Sequence, residues 1–381
     1  MRIFLEPTEA LLFRTGRPFV AGDDVYAESL FPPTPETLQG ALRAAIAIHW
    51  DKNKTLDELF KQLELVDLIG DRKSYGCFRI VAIALGRRNK DEIESLFPAP
   101  AHILETQNEA GQKQRLRLNP QALEGVYSNL PAGMQLLLPD LPTKTDEKLG
   151  VIKGWLTEYG LHKALSTPET LRDEDIVKPK DIYMEEPRLG IGMQSTTKST
   201  REGYLYQIKM IRMQPGYGFV VDIHLSQNAE GGKVKKPIDE PLVDDNEVQA
   251  RLRLPTDGWI TLGGERRAAH FEVLGPIPQG IVEPNRAGRL LYLATPSYFE
   301  GGWQPLEWPA SLGKPIAAAI PRFLPVGGWI LNPADSGGQS KDMHRCVPAG
   351  SVYFFEHSVT VSRPLTDYGW QIGYGIAYTG E

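Results

Sequence analysis

The sequence predicts an α+β fold rich in strands, not a helical bundle. Three observations carry this. The 381 residues include 37 glycines and 30 prolines, and chains rich in both build short strands, many turns and long ordered loops. The clearest helix signature is a single segment that opens at Thr34. The second half of the chain alternates apolar and polar residues with period two, as half-buried strands do. Hydrophobic residues make up 41 % of the chain and charged residues 24 %, which supplies a core and argues against a disordered chain. Domains of about 100 to 200 residues make two the expected number.

Arg2 to Glu6 alternates as a first strand, and Phe13 to Phe19 reads as a loop. Thr34 then stands as the N-cap of a helix with Pro35 at its first position. Leu38, Ala41, Leu42, Ala45, Ile46 and His49 recur at helical spacing and face inward, while Glu36, Gln39 and Arg43 form the opposite stripe. A short helix is predicted over Leu56 to Val66, a buried strand over Gly76 to Leu85, and a break at Phe97–Pro100. The polar stretch to Asn119, carrying Lys113, Arg115 and Arg117, reads as an exposed hairpin or a mobile loop.

A further helix is predicted from Asp146 to Leu165. The charged, proline-punctuated run Thr167 to Pro187 marks a boundary, so the expected domains are residues 1–175 and 176–381. Tyr204–Met213 and Gly218–Leu225, separated by Gln214–Tyr217, read as a β-hairpin. Trp259–Leu262, Leu290–Ala294 and Ser351–Phe355 are further strands, and Asn228–Asp245 is expected to be a mobile loop. No repeat recurs at a period of 20 to 50 residues.

The net charge is -6, from 42 basic and 48 acidic residues. Phosphate neutralisation dominates nucleic-acid affinity, so this balance excludes a whole-surface binder and leaves room for a local basic groove. Cys77 and Cys346 have no partner at metal-ligand spacing. His-Glu-x-x-His, the P-loop and Gly-x-Ser-x-Gly are absent, and Gly190-Ile191-Gly192 is followed by Ser195 where a dinucleotide fingerprint needs glycine. No cofactor or metal is expected. The N-terminus has no signal-peptide core, and no uncharged apolar run approaches the roughly 18 residues of a membrane span, so a cytoplasmic protein is the expectation.

Four segments carry candidate ligand chemistry. At the helix entry, unpaired N–H groups and a partial positive charge suit a phosphate. Thr34, Thr37 and Gln39 add neutral donors there, Arg43 adds a cation one turn on, and Gly40 lets another backbone come close. The plainer reading is a capped helix on a sheet, with Gly40 as a packing contact. The second segment, Arg188 to Tyr206, combines Arg188, Lys198 and Arg201 with the hydroxyls of Ser195, Thr196, Thr197, Ser199 and Thr200. Tyr204 and Tyr206 follow, and cations, small donors and aromatics together make a single-strand platform. Its alternative is a polar loop entering a strand.

The third segment is Thr261 to Arg267. Gly263 and Gly264 allow a sharp turn or close approach of a ligand, and Arg266 and Arg267 suit bidentate phosphate contacts. A strand-ending turn with a surface Arg–Glu pair is the alternative. The fourth is Gly369 to Gly375, where Gly369, Gly373 and Gly375 recur around Trp370 and Tyr374 near the C-terminus. Interior glycine weakens a strand, so close approach to a ligand competes there with an aromatic–glycine turn.

Five pieces, in this order, give the chain a resemblance. They are Leu12–Phe19, Pro33–Arg43, Glu186–Ile191, Glu202–Tyr206 and Leu262–Arg267. Together they resemble the RAMP superfamily of CRISPR-associated proteins, and more narrowly the subunit-three family of the type III-B (Cmr) effector complex. The resemblance implies two ferredoxin-like (RRM-like) domains with long loop and hairpin insertions. It implies a non-catalytic subunit that cradles the 5′ handle of the guide crRNA. Its protein partners would be the large polymerase-like Cmr subunit and the first backbone RAMP subunit. Arg14 and Arg17 join the four segments as RNA-contacting residues on this basis, and Gly369–Gly375 fits the glycine-rich C-terminal loop of the superfamily.

Two other functions fit the same residues. A repeat-cleaving endoribonuclease needs a general base near the 2′-OH. His270, which follows Arg266 and Arg267, is the better candidate, because His49 lies on the apolar face of its helix. A scaffold that joins two protein subunits and touches RNA little is the other.

Overall fold

The computed structural model describes residues 1–15, 26–71, 74–107, 113–122, 125, 130–139, 149–194, 196–226, 244–278, 286–330 and 339–381. The side chains of residues 56, 201–204, 245–246 and 329–330 also lie outside the description. Arg17, Ser195 and most of the expected loop Asn228–Asp245 are therefore outside the described residues.

The elements that position the site are β1 (Arg2–Pro7), α1 (Pro35–Trp50), β2 (Phe78–Asn89), β3 (Glu92–Pro98), β4 (Trp155–Thr157), α2 (Glu158–Ser166), β5 (Ile176–Val177), β6 (Tyr183–Met193) and β7 (Thr200–Met213). They continue with β8 (Tyr217–Leu225), α3 (Asp245–Leu252), β9 (Asp257–Thr261), β10 (Ala268–Gly275), β11 (Gly288–Leu293), β12 (Ala317–Ala319), β13 (Val352–Val359) and β14 (Ala377–Gly380). The fold is α+β and rich in strands.

Eight strands form one antiparallel sheet in the order β5-β4-β3-β2-β8-β1-β10-β9. Alternation sorts its two faces. Ile3, Leu5, Phe219, Val221, Ile223 and Phe271 pack on one face with Leu38, Leu42 and Ile46 of α1 and Val248 and Leu252 of α3. α1 lies there because its apolar residues recur every three or four positions. Its inward face matches the expectation, but Gln39, assigned to the exposed stripe, is also buried.

A smaller antiparallel sheet has the order β12-β13-β11-β14. Leu290, Tyr292 and Phe354 share a second core with Leu161, Ala164 and Leu165 of α2 and with Ala84 and Phe97 of the large sheet.

Several expectations are corrected. The large sheet crosses the expected boundary at residue 175: β8 pairs with β1 and β2, and β10 pairs with β1 and β9. The charged, proline-rich run that suggested it is a surface excursion carrying β5 at the sheet edge. The expected hairpin over 204–225 is two strands of different sheets: β7 pairs with β6, whereas β8 enters the core between β1 and β2. Gly216, at φ 79°, turns the chain between them. The helix expected from Asp146 begins only at Glu158, capped by Thr157, whose hydroxyl accepts from Gly160 N at 3.0 Å. Trp155, Leu156 and Thr157 before it are a fully buried strand, and a short apolar run does not distinguish strand from helix. The helix expected over 56–66 is two, Leu56–Leu59 and Leu63–Ile69. For the stretch with Lys113, Arg115 and Arg117, the hairpin alternative holds: it is a strand paired antiparallel with Ile103–Gln107.

Candidate nucleic-acid interface

The first and third segments meet in one cleft of about 440 Å³. Thr34, Glu36, Thr37 and Gly40 of α1 line it, together with Arg14, Thr261, Gly263 and Gly264. A glycine pair that sequence reasoning did not single out, Gly327–Gly328, forms a further wall with Pro325 and Val326. Pro-Val-Gly-Gly was a legible signal for a turn.

At the helix entry, Thr34 Oγ1 and Thr37 Oγ1 lie 3.1 Å apart, and Thr37 N donates to Thr34 O at 3.0 Å. Glu36 accepts from the hydroxyl of Tyr374 at 2.6 Å. Burial, followed by the Glu36 charge, raises the Tyr374 phenol above its ordinary range, so it stays protonated and donates. Gly40 is exposed, and a Cβ built there would meet nothing within 4 Å. The packing-contact alternative for Gly40 therefore fails. A glycine inside a helix costs about 0.5–1 kcal/mol relative to alanine, and among the described residues no contact requires it.

Two residues of this segment are not available to a ligand as expected. Gln39 is 6 % exposed and absent from the cleft lining. Arg43 turns into the fold, where its guanidinium donates to Gly70 O at 2.8 Å and packs over Phe60. Burial lowers its pKa from the ordinary arginine value. Spacing alone put both on the exposed stripe, but the Gly70 and Asp71 carbonyls stand against Arg43 and the turn at Trp370–Ile372 lies against α1.

The double glycine serves the chain's own backbone. Gly263 has φ 75°, a Cβ there would fall 2.7 Å from Leu12 O, and Gly264 N donates to Leu12 O at 2.8 Å. Arg267 pairs with Glu265 at 2.5 Å, as the surface-pair alternative held, while Arg266 is exposed. His270 lies outside this cleft, with Nε2 3.5 Å from Asp257 and its ring against Trp259. His49 Nδ1 donates to Ala45 O at 2.8 Å and its ring packs on Phe271, so it is a structural histidine.

The second segment is the protruding hairpin β6–β7. Its turn is closed by Gln194 N donating to Ser199 O at 2.9 Å, with Lys198 at φ 53°. Thr196 and Lys198 are exposed at the tip, and the Thr197 hydroxyl donates to Gln194 Oε1 at 2.9 Å. Arg201 and Tyr204 lie on β7, where only their backbone is described. Arg188 is paired with Glu186 at 2.6 Å, and Arg212 holds the same carboxylate. Tyr206 lies over Gly190, where a Cβ would fall 2.2 Å from its ring. Leu189, Ile191, Met193 and Leu205 are exposed. At its base Met210 and Ile208 pack on Ala10 and Leu12, so the hairpin rests on the chain segment that walls the cleft.

The fourth segment resolves as the aromatic–glycine turn. Gly369, Gly373 and Gly375 have φ of 70°, 101° and 71°. A Cβ at Gly373 would fall 2.7 Å from Ile83, and one at Gly375 2.5 Å from Leu365 O. These glycines admit the chain's own atoms, and Trp370 lines a different cleft. Among the described residues no group of His, Cys, Asp and Glu is arranged to hold a metal ion, and no helix is long and apolar enough to cross a membrane.

Comparison with known proteins gives a family. The model for "CRISPR-associated protein (Cas_Cmr3)" matches residues 3–381. No curated protein matches the chain. Among solved structures, it is similar to a chain of a type III-B Cmr-beta complex bound to cognate target RNA and AMPPnP, at 17 % identity and a TM-score of 0.47, covering 93 % of this chain and 86 % of that one. A chain of a Csm1–Csm4 cassette in complex with AMPPNP matches at 10 % identity and a TM-score of 0.32, covering 100 % and 97 %. The whole-length family match agrees with the five motifs read in the sequence, and the chain belongs to the Cmr3 family of CRISPR-associated proteins.

Proposed function

We propose that this chain is the subunit of a type III-B effector complex that holds the 5′ handle of the guide crRNA without cutting it. The observation that carries the reading is the meeting of Arg14, the Thr34–Gly40 helix entry and Gly263–Gly264 in one cleft. Hydroxyls, helix N–H groups and an exposed glycine suit a single strand, whose backbone and base edges are both accessible. With Arg14 and Glu36 as its charged lining residues, the cleft favours sugar and base edges over a run of phosphates. The cleavage alternative, with His270 as general base, would act away from this cleft, whose lining does not include His270.

The fold is read as ferredoxin-like twice. β1–α1–β2–β8–α3–β10, with antiparallel order β2-β8-β1-β10, follows the βαββαβ plan, with residues 90–216 inserted between its second and third strands. β11–β14 repeat that strand order with irregular connections in place of helices. The large polymerase-like subunit and the first backbone subunit are the proposed protein partners. Exposed Leu189, Ile191, Met193 and Leu205 support a protein contact along β6–β7, because apolar area of this kind marks docking surfaces.

The test is handle-RNA binding by the reconstituted complex carrying Arg14→Ala with Thr37→Val. Affinity should fall about tenfold, about 1.4 kcal/mol, while the assembly stays intact. Unchanged affinity in an intact assembly sinks the reading. Lys198→Ala with Arg201→Ala tests the hairpin separately.

A further inference from the structure

A second cleft, of about 540 Å³, is lined by Arg2, Arg79, His224, Arg363, Trp370 and Tyr378, among others. Its central feature is a buried cation. Arg79 is 3 % exposed, Nη1 donates to Gly76 O at 2.7 Å and to Phe78 O at 2.8 Å, and its guanidinium lies over the Trp370 ring at 5.4 Å. Its Nε has no hydrogen-bond partner, and among the described residues Arg79 has no carboxylate partner. Arginine does not deprotonate in proteins, and a buried charge without a counter-ion is costly.

The acids of the cleft do not answer that charge. Asp222 is closed on Arg2 by two hydrogen bonds of 2.7 Å, and Glu158 also acts on Arg2. Arg363 is exposed and, among the described residues, likewise has no carboxylate partner. An anion is the complement of Arg79 and Arg363, and the guanidinium fork favours phosphate oxygens. Trp370 adds an aromatic wall on which a base can stack. The volume falls in the range of small-ligand sites, roughly 300–1,000 Å³.

We propose that this cleft binds a nucleotide unit, with its phosphate at Arg79 and Arg363 and its base against Trp370. The inference does not rest on the RNA reading of the first cleft. The shared chemistry is a nucleoside phosphate, and its source is either a free mononucleotide or a nucleotide of bound RNA.

The full chain is titrated calorimetrically with adenosine monophosphate and, separately, with inorganic phosphate. Adenosine monophosphate should bind at one site and more tightly than phosphate. Arg363→Glu and Trp370→Leu, at positions outside the fully buried core, should each weaken it about tenfold or more. Thr37→Val, in the first cleft, should leave it unchanged. Absence of binding at millimolar adenosine monophosphate, or binding that both cleft variants leave intact, overturns the proposal. A short 5′-phosphorylated RNA then identifies the source. Displacement of adenosine monophosphate assigns the site to an RNA nucleotide, and independent binding assigns it to a free one; both support the site.

Discussion

Tyr374 donates its hydroxyl hydrogen to Glu36 at 2.6 Å across 338 positions of sequence, tying the C-terminal glycine-rich turn to the first turn of α1. Tyr374 is fully buried beside Tyr368, and Glu36 lines the first cleft. The contact joins the turn to the wall of the cleft. Tyr374→Phe removes one of the two tyrosine donors of the Glu36 carboxylate, Tyr368 being the other, and should cost about 1–3 kcal/mol of stability, read from the urea midpoint. A variant as stable as the wild type would mean the contact is not formed in solution.

Two glycine-to-alanine substitutions should have opposite signs. Gly40→Ala places a methyl in open space on a helix and should stabilise the chain by about 0.5–1 kcal/mol. Gly373→Ala puts a methyl 2.7 Å from Ile83 at φ 101° and should destabilise it by about 1–3 kcal/mol. Thermal melts of both variants check the pair. If Gly40→Ala stabilises the chain yet weakens handle binding, the glycine is kept for the ligand.

His102 should make the fold acid-sensitive. Burial, with a smaller contribution from Arg117, pushes its pKa down from 6.5 to about 3. Below about pH 6.5 the unfolded chain takes up a proton that the folded chain refuses. Stability should therefore be full above that pH and fall by up to about 1.4 kcal/mol per unit as pH drops toward 3. His102→Leu should remove one proton's share of that slope in urea titrations between pH 7 and pH 5. An unchanged slope would show that His102 is not buried neutral.

Arg43 and Arg14 should separate structural from ligand-facing cations. Arg43→Ala leaves the carbonyl of Gly70 without its donor and should cost about 1–2 kcal/mol, with little change in handle affinity for the folded fraction. Arg14→Ala should spare stability and lower RNA affinity, and reduce the salt slope by about one if it meets a phosphate. Denaturation and salt-dependent binding on the two variants give the comparison.

The elements with strong local signals were legible from the sequence. Thr34-Pro35 and the apolar spacing after it announced α1, and Val221 and Ile223 of the expected strand Gly218–Leu225 sit in the core, whereas β10 with Phe271 was not read as a strand. The pairing of distant strands was not legible, because β7 and β8 carry similar alternation and only long-range register sends one to β6 and the other between β1 and β2. The candidate site was half legible. Glycine and threonine types pointed to Thr34, Thr37, Gly40 and Gly263, but whether a polar side chain faces a cleft or a carbonyl depends on what packs over it. Gln39 and Arg43 were therefore misplaced, and Arg79, a strand residue with no local motif, was passed over.

The most direct test of the central claim is a photo-crosslinking amino acid at position 40 of the chain, within the assembled complex. The account predicts covalent attachment to nucleotides of the 5′ handle, lost when Arg14→Ala and Thr37→Val are added. Attachment to protein alone, or to RNA outside the handle, would contradict it.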